Sequence, residues 1–230
     1  MSLCAYCHQR KGKRPCPALN GSICSHCCGE HRTVRLSCPA DCAYLDSGSE
    51  YQQKRLAEQL MPLRRDFYRE LEEGGGRPAA GLFNLIEAVT FSYFDGQHEG
   101  QDAELVSALQ SLRRTFSPLH VPAGPVPVFA EHLKREYETF GKQHPGQITD
   151  PSTGPEMLDR IIRFISGFSG TDLQSKRFLG GLIGYVKIYH PQLAEYFRKK
   201  REPGHIILPG ESLMPPPAEP HLHGPDCQHQ

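Results

Sequence analysis

The chain has 230 residues, a length that predicts one or two domains, and it balances 26 basic against 26 acidic side chains for a formal net charge of zero. Hydrophobic residues make up 38% and tryptophan is absent. No stretch approaches about 18 consecutive apolar residues, which excludes a helical membrane span.

The average hides a sharp division. Eight of the nine cysteines fall in the first 42 residues: Cys4, Cys7, Cys16, Cys24, Cys27, Cys28, Cys38 and Cys42. Thiolates two residues apart can grip one metal ion from a tight knuckle, and C-x2-C occurs twice, at Cys4/Cys7 and Cys24/Cys27. Eight thiols suffice for two four-thiolate zinc sites. The preferred partition puts Cys4, Cys7, Cys24 and Cys27 in one site and Cys16, Cys28, Cys38 and Cys42 in the other. A competing partition pairs Cys24 with Cys28 and brings in His31. Disulfides belong to oxidising compartments, and the opening MSLCAYCHQRKGKR has no apolar core or cleavage site of a secretory signal. Reduced thiols and a cytoplasmic location are therefore expected. The C-x2-C-x2-C runs common in iron–sulfur proteins are missing.

Residues 1–45 carry six basic side chains against two acidic ones. Two zinc ions on eight thiolates add four positive and eight negative charges, so this surplus can simply neutralise the metal sites.

Past Leu45 the pattern turns helical. Leu56, Leu60, Leu63, Phe67 and Leu71 mark one face of a helix over 50–73, with Ser47 or Ser49 as cap, a kink or break expected at Pro62 and a stop at Gly74-Gly75-Gly76. A second helix, 79–94, is apolar nearly all round, which predicts a central, buried position. A third spans 102–116 and a fourth 128–140, separated by the proline-rich loop 118–127. After a second linker, 141–155, a fifth helix covers 156–168. A sixth is expected to start from a cap at Thr171 or Asp172 and to run to about His190. A short last helix opens at Pro191 and ends in the cations 198–201, well placed at a C-terminal dipole. Gly180, Gly181 and Gly184 lie inside the sixth helix, where each costs about 1 kcal/mol against alanine, and close helix–helix approach is the expected reason. The predicted fold is mostly α: a cysteine-rich zinc module (1–46), an all-α helical domain (47–202) and a proline-rich tail (203–230) expected to be disordered.

The tail ends HLHGPDCQHQ, so His221, His223, Cys227 and His229 offer imidazole and thiolate donors for a labile transition metal. No catalytic signature accompanies either metal motif. HExxH, the H-x-E…P-C-x-x-C deaminase pattern, P-loop, G-x-S-x-G and G-x-G-x-x-G sequences are all missing, as are the paired Glu-x-x-His motifs of a di-iron bundle. His120, His132, His144 and His190 are scattered and read as surface or loop histidines. An all-thiolate zinc is closed and structural, whereas a catalytic zinc keeps an open position.

The run CSHCCGEH (Cys24 to His31), with Cys4/Cys7 and Cys16-Pro17 before it, resembles HIT- and MYND-type fingers, which bind two zincs in a cross-brace. The second cysteine expected soon after Cys16-Pro17 is missing, and the gap from Cys28 to His31 is shorter than in those fingers. The block with its CPADCAYL ending also resembles bacterial zinc-finger-like proteins without an assigned activity. The first resemblance implies a protein-interaction module. The expected function is thus a zinc-stabilised, non-catalytic adaptor that docks a protein or nucleic-acid partner, with Arg10, Lys11, Lys13 and Arg14 contacting an acidic surface or phosphate backbone. Two alternatives are a metal-handling protein using the tail and an enzyme with a site in the helical domain.

Overall fold

The computed structural model describes residues 2–39, 42–45, 49–97, 100–116, 127–145 and 153–201. Among the described residues, seven helices and one two-stranded sheet follow in the order β1 (Arg14–Cys16), β2 (Gly21–Ile23), α1 (Ser25–His31), α2 (Ser49–Phe94), α3 (Asp102–Arg114), α4 (Val128–Gln143), α5 (Gly154–Ser169), α6 (Arg177–Tyr189) and α7 (Pro191–Arg201). The fold is mostly α, as the periodicity predicts. No helix among the described residues is long and apolar enough to cross a membrane.

β1 and β2 are antiparallel, with Arg14 opposite Ile23 and Cys16 opposite Gly21. The chain reverses through a 3-10 turn at Pro17–Leu19, and Asn20 takes the left-handed conformation (φ 50°) that a short polar side chain tolerates. α1 starts directly from this hairpin.

One expectation for α2 changes and one holds. The helix runs through Pro62 without a break, and it breaks at Gly76 (φ 67°, ψ −165°), within the expected Gly74-Gly75-Gly76 stop, dividing segment 49–75 from 77–94. Pro62 and Glu58 both face solvent. The Glu58 carbonyl that loses its helical N–H partner is therefore open to water, and the proline is accommodated. Gly76 adopts a backbone that L side chains disfavour, and Pro78 follows in the first turn of the new segment, where its missing N–H is no loss.

Segment 77–94 is the core of the bundle, with Phe83, Val89 and Phe91 fully buried. Phe67 stacks on Phe164 (4.2 Å, 2°) and meets Phe83 edge-on at 5.2 Å. α2 packs chiefly on α6, while α3 lies against both α4 and α5. The glycines of α6 make the first contact possible. A Cβ at Gly184 would lie 2.5 Å from the carbonyl carbon of Gln53, and one at Gly181 would lie 3.4 Å from the Leu56 oxygen. Close helix approach is the role the sequence suggested for them.

The start of α6 differs from expectation. It begins at Arg177, and neither Thr171 nor Asp172 caps it; Asp172 Oδ1 accepts from Gln174 N in a local turn. The cap comes from Asp102 at the head of α3. Its carboxylate accepts from the backbone N–H of Phe178 (2.8 Å) and Leu179 (3.0 Å) and from Ser169 Oγ (2.7 Å). Asp102 is fully buried, and burial pushes its carboxyl up while those donors act against the rise.

A second buried polar group joins the two segments of α2 to α6. Arg64 donates to both Glu87 oxygens (2.7 and 2.6 Å) and to Tyr185 Oη (3.0 Å). Burial pushes the Glu87 carboxyl up, with Arg64 opposing it.

The N-terminal block docks on the bundle through α2 and α6. Gln52 Nε2 donates to the Gly29 carbonyl, Arg55 pairs with Glu30 at 2.7 Å, and Lys176 N donates to the Val34 carbonyl at 2.6 Å. A cavity of about 240 Å³ lies along this seam, lined by Val34, Leu36 and Cys38 on one side and Leu56, Gly180 and Lys187 on the other.

Candidate metal centre

The first knuckle is a tight turn closed by His8 N donating to the Cys4 carbonyl at 2.9 Å, with His8 at a left-handed φ of 54°. Ala5 N donates to the Ser22 carbonyl at 2.8 Å and pins this knuckle to β2. Lys13 N donates to the Ile23 carbonyl at 3.0 Å, and Ile23 is buried beneath it. The second knuckle is the entry to α1. Cys24 is its N-cap and accepts from Cys27 N at 3.3 Å through Sγ. A thiol thus occupies the place usually taken by a serine or aspartate oxygen, and the next ligand falls at the third helical residue.

These two knuckles bring Cys4, Cys7, Cys24 and Cys27 together, with every Sγ within 4.8 Å of the others. Three of the four are buried and Cys7 is half-buried. Four sulfurs so close can hold a metal ion, and the set matches the preferred partition residue for residue.

The electrostatics suit a cation. Burial acts to raise the Cys4 thiol, but the backbone N–H groups of Cys7, Cys24 and Tyr6 outweigh it and bring it down to about 6. The N–H groups of Gln9 and Arg10 lower Cys7. Burial pushes Cys27 strongly upward, and the neighbouring thiols of Cys24, Cys7 and Cys4 add to the rise. The nest stabilises negative charge at Cys4 and Cys7 and resists it at Cys27. A divalent cation at its centre would replace the retained proton, because a coordinating thiol binds as thiolate.

The remaining cysteines lie outside this set. Cys16 ends β1 and is buried, Cys28 is buried on α1, and Cys38 and Cys42 are half-buried. Arg32 Nη2 donates to Cys28 Sγ at 3.6 Å. Burial raises the Cys38 thiol, the Thr33 N–H opposes this, and the charges of Cys42, Cys16 and Cys28 add to the rise, so the four share one neighbourhood. Among the described residues, the Cys4 set is the group of metal-ligating side chains gathered within 4.8 Å. Cys27 and Cys28, adjacent on a helix and about 100° apart around its axis, face the two different sets.

His31 does not join the close set. Its ring stacks on Tyr6 (centroids 4.3 Å apart, 28°), and its carbonyl accepts from the N–H groups of Val34, Arg35 and Leu36. Burial lowers its pKa. His132, His144 and His190 are likewise engaged locally, beside Arg135, Phe140 and Tyr185. The tail donors His221, His223, Cys227 and His229 lie outside the described residues, as does His120.

Arg10, Lys11 and Lys13 are exposed, and among the described residues none has a carboxylate within ion-pair distance. Arg14 differs: it is half-buried, with its guanidinium over the Tyr44 ring at 4.9 Å. The sequence reading missed the seam residues Gln52 and Arg55, because their partners are backbone and carboxylate groups of α1 that no local pattern announces.

Comparison with protein-family models, with curated proteins and with solved structures returned no match.

Proposed function

We propose that Cys4, Cys7, Cys24 and Cys27 hold a structural zinc ion, and that the module folded around it is the docking element of a non-catalytic adaptor. The gathering of four thiols within 4.8 Å carries this reading. An all-thiolate set suits zinc in a closed structural site. The order of ligands supports the cross-brace resemblance, since the two close pairs are separated by Cys16 and followed at once by Cys28. Cys16, Cys28, Cys38 and Cys42 form the second zinc site in this reading.

The exposed cations Arg10, Lys11 and Lys13 beside the first knuckle are the docking surface for an acidic protein segment. Base stacking has little to work with there, because Tyr6 is stacked on His31 and Tyr44 is covered by Arg14.

Elemental mass spectrometry on the full chain tests the metal. Two zincs per chain are expected, with Cys24→Ser losing at least the first and leaving the helical circular dichroism of α2–α7 in place. No zinc in the parent protein overturns the reading. For docking, fluorescence anisotropy should show a labelled oligoglutamate peptide binding the parent but not an Arg10→Ala/Lys11→Ala/Lys13→Ala variant. Preference for a labelled single-stranded oligonucleotide at physiological salt would replace the protein partner by nucleic acid.

A further inference from the structure

A second cavity on the seam, about 140 Å³, is lined by Glu30, His31, Val34 and Arg35 from the N-terminal module, Arg55, Leu56 and Gln59 from α2, and Arg177 from the first turn of α6. Three arginines therefore line it against a single acidic residue. Arg55 is neutralised by Glu30, to which it donates at 2.7 Å, and also reaches the Glu30 carbonyl at 3.2 Å. Arg35 has only a long contact to Asp172, 3.9 Å from Nε to Oδ2. Arg177 donates to Gln59 Oε1 at 3.3 Å and lies over the Phe168 ring at 5.3 Å; among the described residues it has no carboxylate partner. The Nε atoms of Arg55 and Arg177 are both buried without a hydrogen-bond partner.

We infer that this cavity binds a phosphate group, as the free ion or as the terminal group of a small phosphorylated metabolite. The surplus on the lining is two positive charges, matching a phosphate dianion, whereas a carboxylate would leave one uncompensated. Guanidinium forks are the side chains best shaped for phosphate oxygens. The volume is below the roughly 300 Å³ of ordinary organic-ligand pockets, so it accommodates one anionic group and leaves the rest of a metabolite outside. Because the lining comes from the module, α2 and α6 together, a bound phosphate bridges like-charged arginines that otherwise repel across the seam. The ligand thereby clamps the module to the bundle. This inference does not depend on which metal the cysteines hold.

The test is a thermal melt of the full chain with inorganic phosphate, at ionic strength held constant with sodium chloride. A saturable rise in Tm is expected, about 3–6 °C at a tenfold excess over Kd. Glycerol 3-phosphate serves as the ester probe: binding at least as tight as phosphate assigns a metabolite, and binding of phosphate alone assigns the free ion. Arg177→Gln makes no ion pair to lose and should fold with unchanged circular dichroism, yet weaken binding at least tenfold. Arg69→Gln, on α2 about 15 Å along the helix from Gln59, should bind as the parent does. An equal shift with acetate, no saturable shift up to about 20 mM phosphate, or undiminished binding in Arg177→Gln overturns the proposal.

Discussion

Replacing Gly184 by alanine places a methyl carbon 2.5 Å from the carbonyl carbon of Gln53 and 3.0 Å from its Cβ, on the seam between α6 and α2. No rotamer change relieves this contact, because the obstructing atoms are backbone. α6 must move off α2 by about 1 Å, and a gap of that size forfeits a quarter to a half of each dispersion contact across it. Overpacking of this kind costs about 3 kcal/mol at the upper end of its usual range. The gain in helix propensity from glycine to alanine returns about 1 kcal/mol. The net is a destabilisation of about 2 kcal/mol, or a fall in Tm of about 4–8 °C. Two other glycines calibrate the measurement. A Cβ at Gly180 meets only the rotatable Leu56 Cδ1, at 3.1 Å, so Gly180→Ala should be neutral or slightly stabilising. A Cβ at Gly167 in α5 meets nothing within 4 Å, so Gly167→Ala should stabilise by about 1 kcal/mol. Urea denaturation of the three variants beside the parent reads the series directly. If Gly184→Ala proves as stable as Gly167→Ala, the close approach of α2 and α6 is wrong.

Three further outcomes follow from polar groups that are buried or half-buried. Asp102→Ala strips the cap from α6 and leaves the Phe178 and Leu179 N–H groups unpaired in the core; a loss of about 2–4 kcal/mol is expected in chemical denaturation, and a loss below about 0.5 kcal/mol would show the cap to be dispensable. Arg64→Met abandons Glu87 in a buried site and should cost about 3–5 kcal/mol, whereas the double variant Arg64→Met/Glu87→Leu should recover most of that loss. Burial acts to raise the carboxyl of Asp95, yet Lys187 and Arg201 hold it below the ordinary carboxylate value. Its contribution is therefore full above about pH 5 and is lost as pH falls through and below about 4. Asp95→Asn should cost about 1–2 kcal/mol at pH 7, with the gap to the parent closing in melts near pH 3; a gap independent of pH would exclude the ion pairs as its cause.

The helices were legible because the evidence for each lies within a few residues. Leu105, Leu109 and Leu112 mark α3 by spacing alone, and all three are buried. The C-x2-C knuckles were legible for the same reason: their spacing sets the bite of the ligand pair, and the first four-thiol set is the one the repeat implied. The glycines of α6 announced a close approach by their cost, although not which helix would fill it. Other features answer to partners far away in the chain. The cap of α6 sits 76 residues upstream at Asp102, invisible beside the plausible local candidates Thr171 and Asp172. The stop at Gly74-Gly75-Gly76 was legible and the break falls at Gly76, whereas the survival of the helix through Pro62 depended on whether water could reach the carbonyl it strands, which is settled by which face packs. His31 was a candidate ligand in the competing partition, and its stacking on Tyr6 was not legible because the two rings meet only once the first knuckle is pinned to β2. Local spacing determined the helices and the metal-ligand pairs, since both rest on geometry within one or two turns. The tertiary structure alone decided the cap of α6, the tolerance of Pro62 and the arginine-lined seam, because each depends on burial and charge that exist only after distant segments have packed.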